Sequence, residues 1–282
     1  MSSIMIQGTT SSAGKSLMST GLLRIFKEDG YKVFPFKSQN MSSKFYTTED
    51  GKKISTAQAL QAMAAGLKPH QDMNPILLIP KSNDGSMVVI DGEETENMAA
   101  REYFRYRIAL REMIEKKYKK IEAENDIVVI EGAGSPAEIN LKENDIVNMG
   151  MAKIANSPVL LVTDIDRGGA FAALYGTVML LEPDERVRIK GMIINKFRGD
   201  KSLLDSGIKM IEELLNIPVV GVIPYIDLEL VDEDSLIDRD KRCNTEKQSD
   251  EEIEEELNKL AKAMRDNLDM DYIYEIMDLK ND

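Results

Sequence analysis

Residues 8–16 read Gly-Thr-Thr-Ser-Ser-Ala-Gly-Lys-Ser, with a short apolar run at 4–6 before them and an apolar-periodic segment at 17–26 after them. Strand, glycine-rich turn and helix in that order are the setting of a phosphate-binding loop. Successive amides of such a turn converge on phosphate oxygens, and the positive end of the following helix adds to their field. On this reading Thr9, Thr10, Ser11, Ser12, Ala13 and Gly14 cradle phosphates, Lys15 reaches the β- and γ-phosphates, and the Ser16 hydroxyl holds Mg²⁺. The chain is expected to consume a nucleoside triphosphate. Five residues rather than the usual four separate Gly8 from Gly14, with Thr9 at the usual first-glycine position.

Further polar residues stand at the ends of apolar runs. Residues 127–130 are Ile-Val-Val-Ile and lead into Glu131, Gly132, Ala133 and Gly134. A carboxylate at the carboxyl end of a parallel strand can bind Mg²⁺; the alternative is a capped strand end with a solvent-facing glutamate. The run 158–163 ends in Asp164, Ile165, Asp166 and Arg167. Arg167 suits bidentate recognition of phosphate or carboxylate, and a structural Asp–Arg pair is the alternative. Asn195 offers an amide with both donor and acceptor for a purine edge, and Pro224 could wall the base.

Positioning these groups on one rim requires a doubly wound, mostly parallel α/β sheet, and the patterning fits one. Strands are expected at 4–7, 31–36, 127–131, 159–163, 191–195 and 219–223, with a further one at 87–90. Several are continuous Val/Ile/Leu runs, as strands buried on both faces should be. Helices are expected at 15–28, 56–66, 98–122, 170–181 and 203–215. The division expected is 1–226 for the nucleotide-binding domain, 227–256 for an acidic linker and 257–282 for a C-terminal helix.

The loop spacing resembles that of the dethiobiotin synthetase-like P-loop NTPases, G-T-x-T-x-x-G-K-[ST]. Thr10 stands where the related partition and division ATPases carry an extra lysine, which points away from a positioning ATPase. Over roughly residues 4–237 the chain resembles the cobyric acid synthase family, glutamine-dependent enzymes that amidate corrin side chains. The resemblance rests on Pro35-Phe-Lys37-Ser-Gln39-Asn40-Met41, Ala57-Gln58-Ala-Leu-Gln61, Glu131-Gly-Ala-Gly-Ser-Pro-Ala-Glu138, Asn144-Asp-Ile-Val-Asn148, Asp164-Ile-Asp-Arg-Gly-Gly169 and Asn195-Lys-Phe-Arg-Gly-Asp200. It implies ATP and Mg²⁺ as ligands and amide formation on a corrinoid carboxylate. Lys37 would sit near the transferred phosphoryl group, with Lys15 as its partner in catalysis. Asp164, Asp166 and Arg167 would line the reacting site, Asn195 and Pro224 would face adenine, and Gln39, Asn40 and Gln58 would meet the substrate.

The chain also departs from that family. Members continue into a glutaminase domain with a nucleophilic cysteine, whereas Cys243, the single cysteine, lies in a polar stretch without flanking glycine, and His70, the single histidine, lies in a turn-like Lys-Pro-His-Gln. The tail at 260–270 resembles the family's last helix, so 238–256 is read as replacing the glutaminase. Ammonia is then expected from solution or from a separate glutaminase subunit. The family pattern D-G-G-E-I-G-R-A-Q is Asp50-Gly-Lys-Lys53-Ile-Ser55-Thr56-Ala-Gln58 here, and Lys44, Ile79 and Met87 also depart. Those changes motivate a second reading, an ATP-binding regulatory protein without ligase activity.

Composition narrows the classes. A net charge of −13 over 282 residues argues against nucleic acid or an anionic membrane as partner. No apolar run reaches bilayer-spanning length, and the N-terminus has no basic region, so a cytoplasmic protein is expected. One cysteine excludes an internal disulfide framework and one histidine offers no metal cluster. A homo-oligomer remains open.

Overall fold

In chain order the elements are β1 (Ser2–Gly8), α1 (Lys15–Glu28), β2 (Val33–Phe36), β3 (Gln39–Met41), β4 (Phe45–Thr47), β5 (Lys53–Ser55), α2 (Thr56–Ala64), β6 (Ile76–Ser82), β7 (Gly85–Ile90), β8 (Glu93–Ala99), α3 (Ala100–Glu124), β9 (Ile127–Glu131), α4 (Met149–Ala155), β10 (Val159–Asp164), α5 (Ala170–Leu180), α6 (Pro183–Arg186), β11 (Ile189–Phe197), α7 (Asp205–Leu215), β12 (Val219–Pro224), α8 (Asp250–Arg265) and α9 (Met270–Ile276). The structure, a computed structural model, describes residues 2–82, 85–143, 145–228 and 249–279.

The six apolar runs form one sheet in the order β12-β11-β10-β1-β9-β2, parallel throughout. Alternate residues of a strand face opposite sides, and here both sides are buried. Met5, Val128, Ile130, Leu161 and Met192 meet α3, α4, α5 and α7 through Ile114, Tyr118, Met151, Leu174 and Ile211. Ile4, Ile6, Val129, Leu160, Val162 and Ile193 meet α1, α8 and α9 through Leu22, Phe26, Leu260, Met264 and Ile273. This is the doubly wound α/β arrangement, with ligand sites expected beyond the carboxyl ends of the strands.

Where the sequence suggested one extra strand at 87–90, a second sheet forms in the order β3-β6-β7-β8. Its β8 runs through residue 99, so α3 starts at Ala100 rather than at 98. A small antiparallel pair, β4 and β5, leads into α2. Ser55 caps that helix by accepting from the Gln58 amide at 3.3 Å.

The tail is part of the packed body. The expected linker falls largely on residues 229–248, outside those described, and its last residues, from Asp250, are already helix. A capping box sets that start: the Glu252 amide donates to Ser249 Oγ at 3.2 Å and the Ser249 amide to Glu252 Oε2 at 2.8 Å. Leu257, Leu260, Ala261 and Met264 recur at helical spacing on the buried face of α8. The single tail helix expected is two, because the chain breaks at 266–269, where Leu268 bridges to Gly221 on β12. Gly21 of α1 lets α8 come close, since a Cβ there would lie 2.0 Å from Met264 Sδ. Arg24 donates to Glu254 and Asn258 at 2.6 Å each across the same contact.

Candidate functional site

The loop 8–16 leaves β1 and enters α1 through Gly14, whose φ of +102° is a conformation glycine adopts without steric cost. No side chain caps α1 at Gly14, and a helix start of this kind is suited to an anion. Lys15 is buried and donates from Nζ to Thr10 O at 3.2 Å.

Glu131 closes β9. Its register partner on the neighbouring parallel strand is Ile6, two residues before Gly8, so the carboxylate lies beside the loop. Ser16 Oγ donates to Glu131 Oε1 at 2.8 Å, Lys37 Nζ donates to the same oxygen at 2.6 Å, and Gln61 Nε2 donates to Oε2 at 2.5 Å. The residue is 1 % exposed, which disposes of the solvent-facing alternative. Burial pushes its carboxyl up, but the Lys37 ammonium and the three hydrogen bonds outweigh this and hold it below the ordinary range. Glu131 is therefore an anion at neutral pH, paired with the ammonium of Lys37 just past the end of β2.

Two neutral amides set this carboxylate in place. Gln61 projects from α2, and its Oε1 accepts from Gln58 Nε2 at 3.3 Å. Gln58 is fully buried, bonded also to Ser55 Oγ and to Asn40 Nδ2. It was expected on the substrate, yet it stands behind the wall and supports Gln61 and Asn40. Gln39 and Asn40 do border the cleft. This cleft, about 450 Å³, runs from Ser12, Lys15 and Lys37 past Glu131 to the segment 133–149. Its other rim carries exposed Met41 and Leu141.

Asp164 closes β10 on the other side of the loop. Its Oδ2 accepts from Lys196 Nζ at 2.9 Å, and its Oδ1 accepts from the Asp166 amide at 2.9 Å. Arg167 Nε lies 3.8 Å from Asp164, and Asp166 pairs with Arg198 at 3.3 Å. Asp166 and Arg167 are exposed, so the structure brings Asp164 against the loop and leaves these two on the surface. Asn195 is 1 % exposed and donates to Ala13 O at 3.0 Å, so its amide faces the loop backbone. Pro224 ends β12 beside Tyr225, whose ring lies 3.6 Å below the Arg198 guanidinium. Gln61 and Lys196 went unassigned in the sequence although both lie in the quoted motifs. Nothing in a single sequence reports that Gln61 of α2 reaches Glu131 at the end of β9, or that Lys196 turns toward the loop.

Ser16 and Glu131 are hard oxygen donors 2.8 Å apart, and no group of three or more His, Cys, Asp or Glu side chains placed to hold a metal ion exists among the described residues. That donor set fits Mg²⁺, which takes one or two protein oxygens and completes its shell with phosphate and water.

The family described as CobQ/CobB/MinD/ParA nucleotide binding domain, CbiA, matches residues 4–237. The chain belongs to this family. Cobyric acid synthase from Alkaliphilus metalliredigens is 58% identical over 240 residues, 85% of this chain and 48% of that protein. The enzyme of the same name from Lachnoclostridium phytofermentans is 58% identical over 249 residues, 87% and 48% of the two chains. The chain thus spans about half the length of the curated relatives it matches. Among solved structures, the signal recognition particle receptor FtsY from Elizabethkingia anophelis aligns over 84% of this chain and 64% of its own, with 16% identity and a TM-score of 0.45. The CbiA-type domain here has, among its described residues, no helix long and apolar enough to cross a membrane.

Proposed function

We propose that this chain uses ATP to activate a carboxylate on a corrinoid side chain and passes it to ammonia, forming an amide. The observation that carries this reading is the buried Glu131 carboxylate held between Ser16 and Lys37 at the mouth of the phosphate loop. Its weight comes from the cobyric acid synthases that share more than half of their aligned residues with this chain.

A carboxylate resists ammonia because its charge repels the nucleophile and oxide is a poor leaving group. One carboxylate oxygen therefore attacks the γ-phosphorus, and the bond to the β–γ bridging oxygen breaks, with ADP leaving. Ammonia then attacks the carbonyl carbon of the acyl phosphate. The C–O bond breaks, inorganic phosphate departs with the electron pair, and the proton lost by nitrogen passes to phosphate. Phosphoryl transfer of this kind is mainly positioning and charge neutralisation. Lys15 and Lys37 supply positive charge, and the loop amides from Thr9 to Ser16 hold the phosphates. Mg²⁺, held by Ser16 and Glu131, would neutralise phosphate charge. Gln39 and Asn40, on the cleft, are assigned to the corrinoid. Asp164 orders the loop side of the reacting site, Asp166 and Arg167 are assigned to its outer edge, and Pro224 to the adenine. Ammonia comes from solution or from a separate glutaminase.

The test is direct. Purified chain with ATP, Mg²⁺, ammonium and a cobyrinate diamide yields ADP and amide in equal amounts, and glutamine alone does not replace ammonium. ATP binding with no carboxylate-stimulated ADP release refutes the ligase reading and favours the regulatory one.

A further inference from the structure

Two consecutive residues, Asn195 and Lys196, grip two consecutive carbonyls of the phosphate loop. Lys196 Nζ donates to Ser12 O at 2.8 Å, and Asn195 Nδ2 donates to Ala13 O at 3.0 Å. In a trans peptide the carbonyl of one residue and the amide of the next point opposite ways. Drawing the Ser12 and Ala13 carbonyls outward, toward β11, therefore turns the amides of Ala13 and Gly14 toward the other side, where a loop of this kind receives anions.

A regular strand could not do this, because adjacent side chains leave it on opposite faces. Here Lys196 has a φ of +62°, a left-handed conformation unfavourable for a side chain with a Cβ, and the β11–β12 register shifts between Ile194 and Phe197. The irregularity brings both side chains onto the loop. The loop is shaped to match: Ser12 is itself left-handed at φ +60°, and a Cβ on Gly14 would lie 2.0 Å from Asn195 Nδ2. Asp164 completes the arrangement by accepting from Lys196 Nζ at 2.9 Å, which fixes the ammonium between strand end and loop.

We infer that Asn195 and Lys196 are positioning residues that set the amides of Ala13 and Gly14 for the triphosphate. The inference rests on the nucleotide reading above but concerns the triphosphate alone, whatever the acceptor.

The experiment compares ATP with inorganic tripolyphosphate, which carries the phosphates without a base, by titration calorimetry. Wild type, Lys196→Met, Lys196→Arg and Asn195→Leu are measured. Lys196→Met and Asn195→Leu each weaken tripolyphosphate by about tenfold and ATP by at least as much, the scale of one lost charge-assisted or buried hydrogen bond. Lys196→Arg, which can still donate to both oxygens, recovers most of the loss. All variants keep the native near-ultraviolet spectrum without ligand. An Asn195→Leu loss confined to ATP overturns the inference, because the loop would then hold phosphates without that amide. Unchanged tripolyphosphate affinity in both variants, or a Lys196→Met chain that loses its native spectrum, overturns it as well. Wild type binding neither ligand would remove the nucleotide reading and this inference together.

Discussion

Replacing Glu131 by Gln probes the centre of the site. The carboxylate is fully enclosed, and the Lys37 ammonium 2.6 Å away is almost so, with side-chain exposures of 0% and 6%. The substitution keeps shape and most hydrogen-bonding capacity but removes the negative charge that compensates Lys37. Breaking a buried pair from one side costs about 3–5 kcal/mol; the lower end applies here because the amide oxygen still accepts from Lys37. For a domain of this size, about 3 kcal/mol corresponds to a fall in melting temperature of roughly 6–12 °C. The pH dependence follows from the direction of the shift. The folded-state carboxyl is held below its ordinary value, so its contribution is fully present above the unfolded-state pKa and is lost as pH falls through the folded-state value. The gap between wild type and Glu131→Gln, measured by urea unfolding, should therefore be constant from neutral pH down to the ordinary carboxylate range and shrink below it. A variant that melts within about 1 °C of wild type at pH 7 would refute the account of a desolvated, charge-compensated pair.

Other expectations concern the loop, its supports and the tail. Lys15→Ala should weaken ATP binding by at least about tenfold in calorimetry, because the proposed function gives Lys15 a charged hydrogen bond to phosphate. Gln61→Leu removes one of the donors to Glu131 and should lower Mg²⁺ affinity in a metal titration while costing about 1–2 kcal/mol of stability. Gly21→Ala places a methyl group against Met264 and should destabilise by about 1–3 kcal/mol in thermal melts, with Met264→Ala restoring part of the loss in the double variant. Asp166→Ala breaks only an exposed pair with Arg198 and should change stability by less than about 1 kcal/mol, so any larger fall in amide formation would come from the chemistry.

Local rules carried much of the fold. Apolar runs of five or six residues, such as 127–131 and 159–164, become the central strands because both their faces are buried and no alternation is needed. The second sheet was harder to read. Pro80 interrupts the run 76–82, and β3 is three mixed residues whose strand state depends on pairing with Ile76 to Leu78. Tail helix α8 was misplaced at its start because its first turn is acidic and exposed, while its capping box is a local signal that could have been used.

The sequence by itself determined the glycine-rich turn between β1 and α1, the parallel sheet that presents it, and the place of an acid at the end of β9, because each depends on short-range spacing and on the burial of apolar runs. Only the tertiary structure decided what that acid touches. Lys37 is 94 residues from Glu131 in the chain, Gln61 is 70 and Ser16 is 115. The same is true of Asn195 and Lys196 on a loop more than 180 residues away. Contacts of that range are fixed by sheet order, helix packing and one left-handed residue, and none of these is carried by a local pattern.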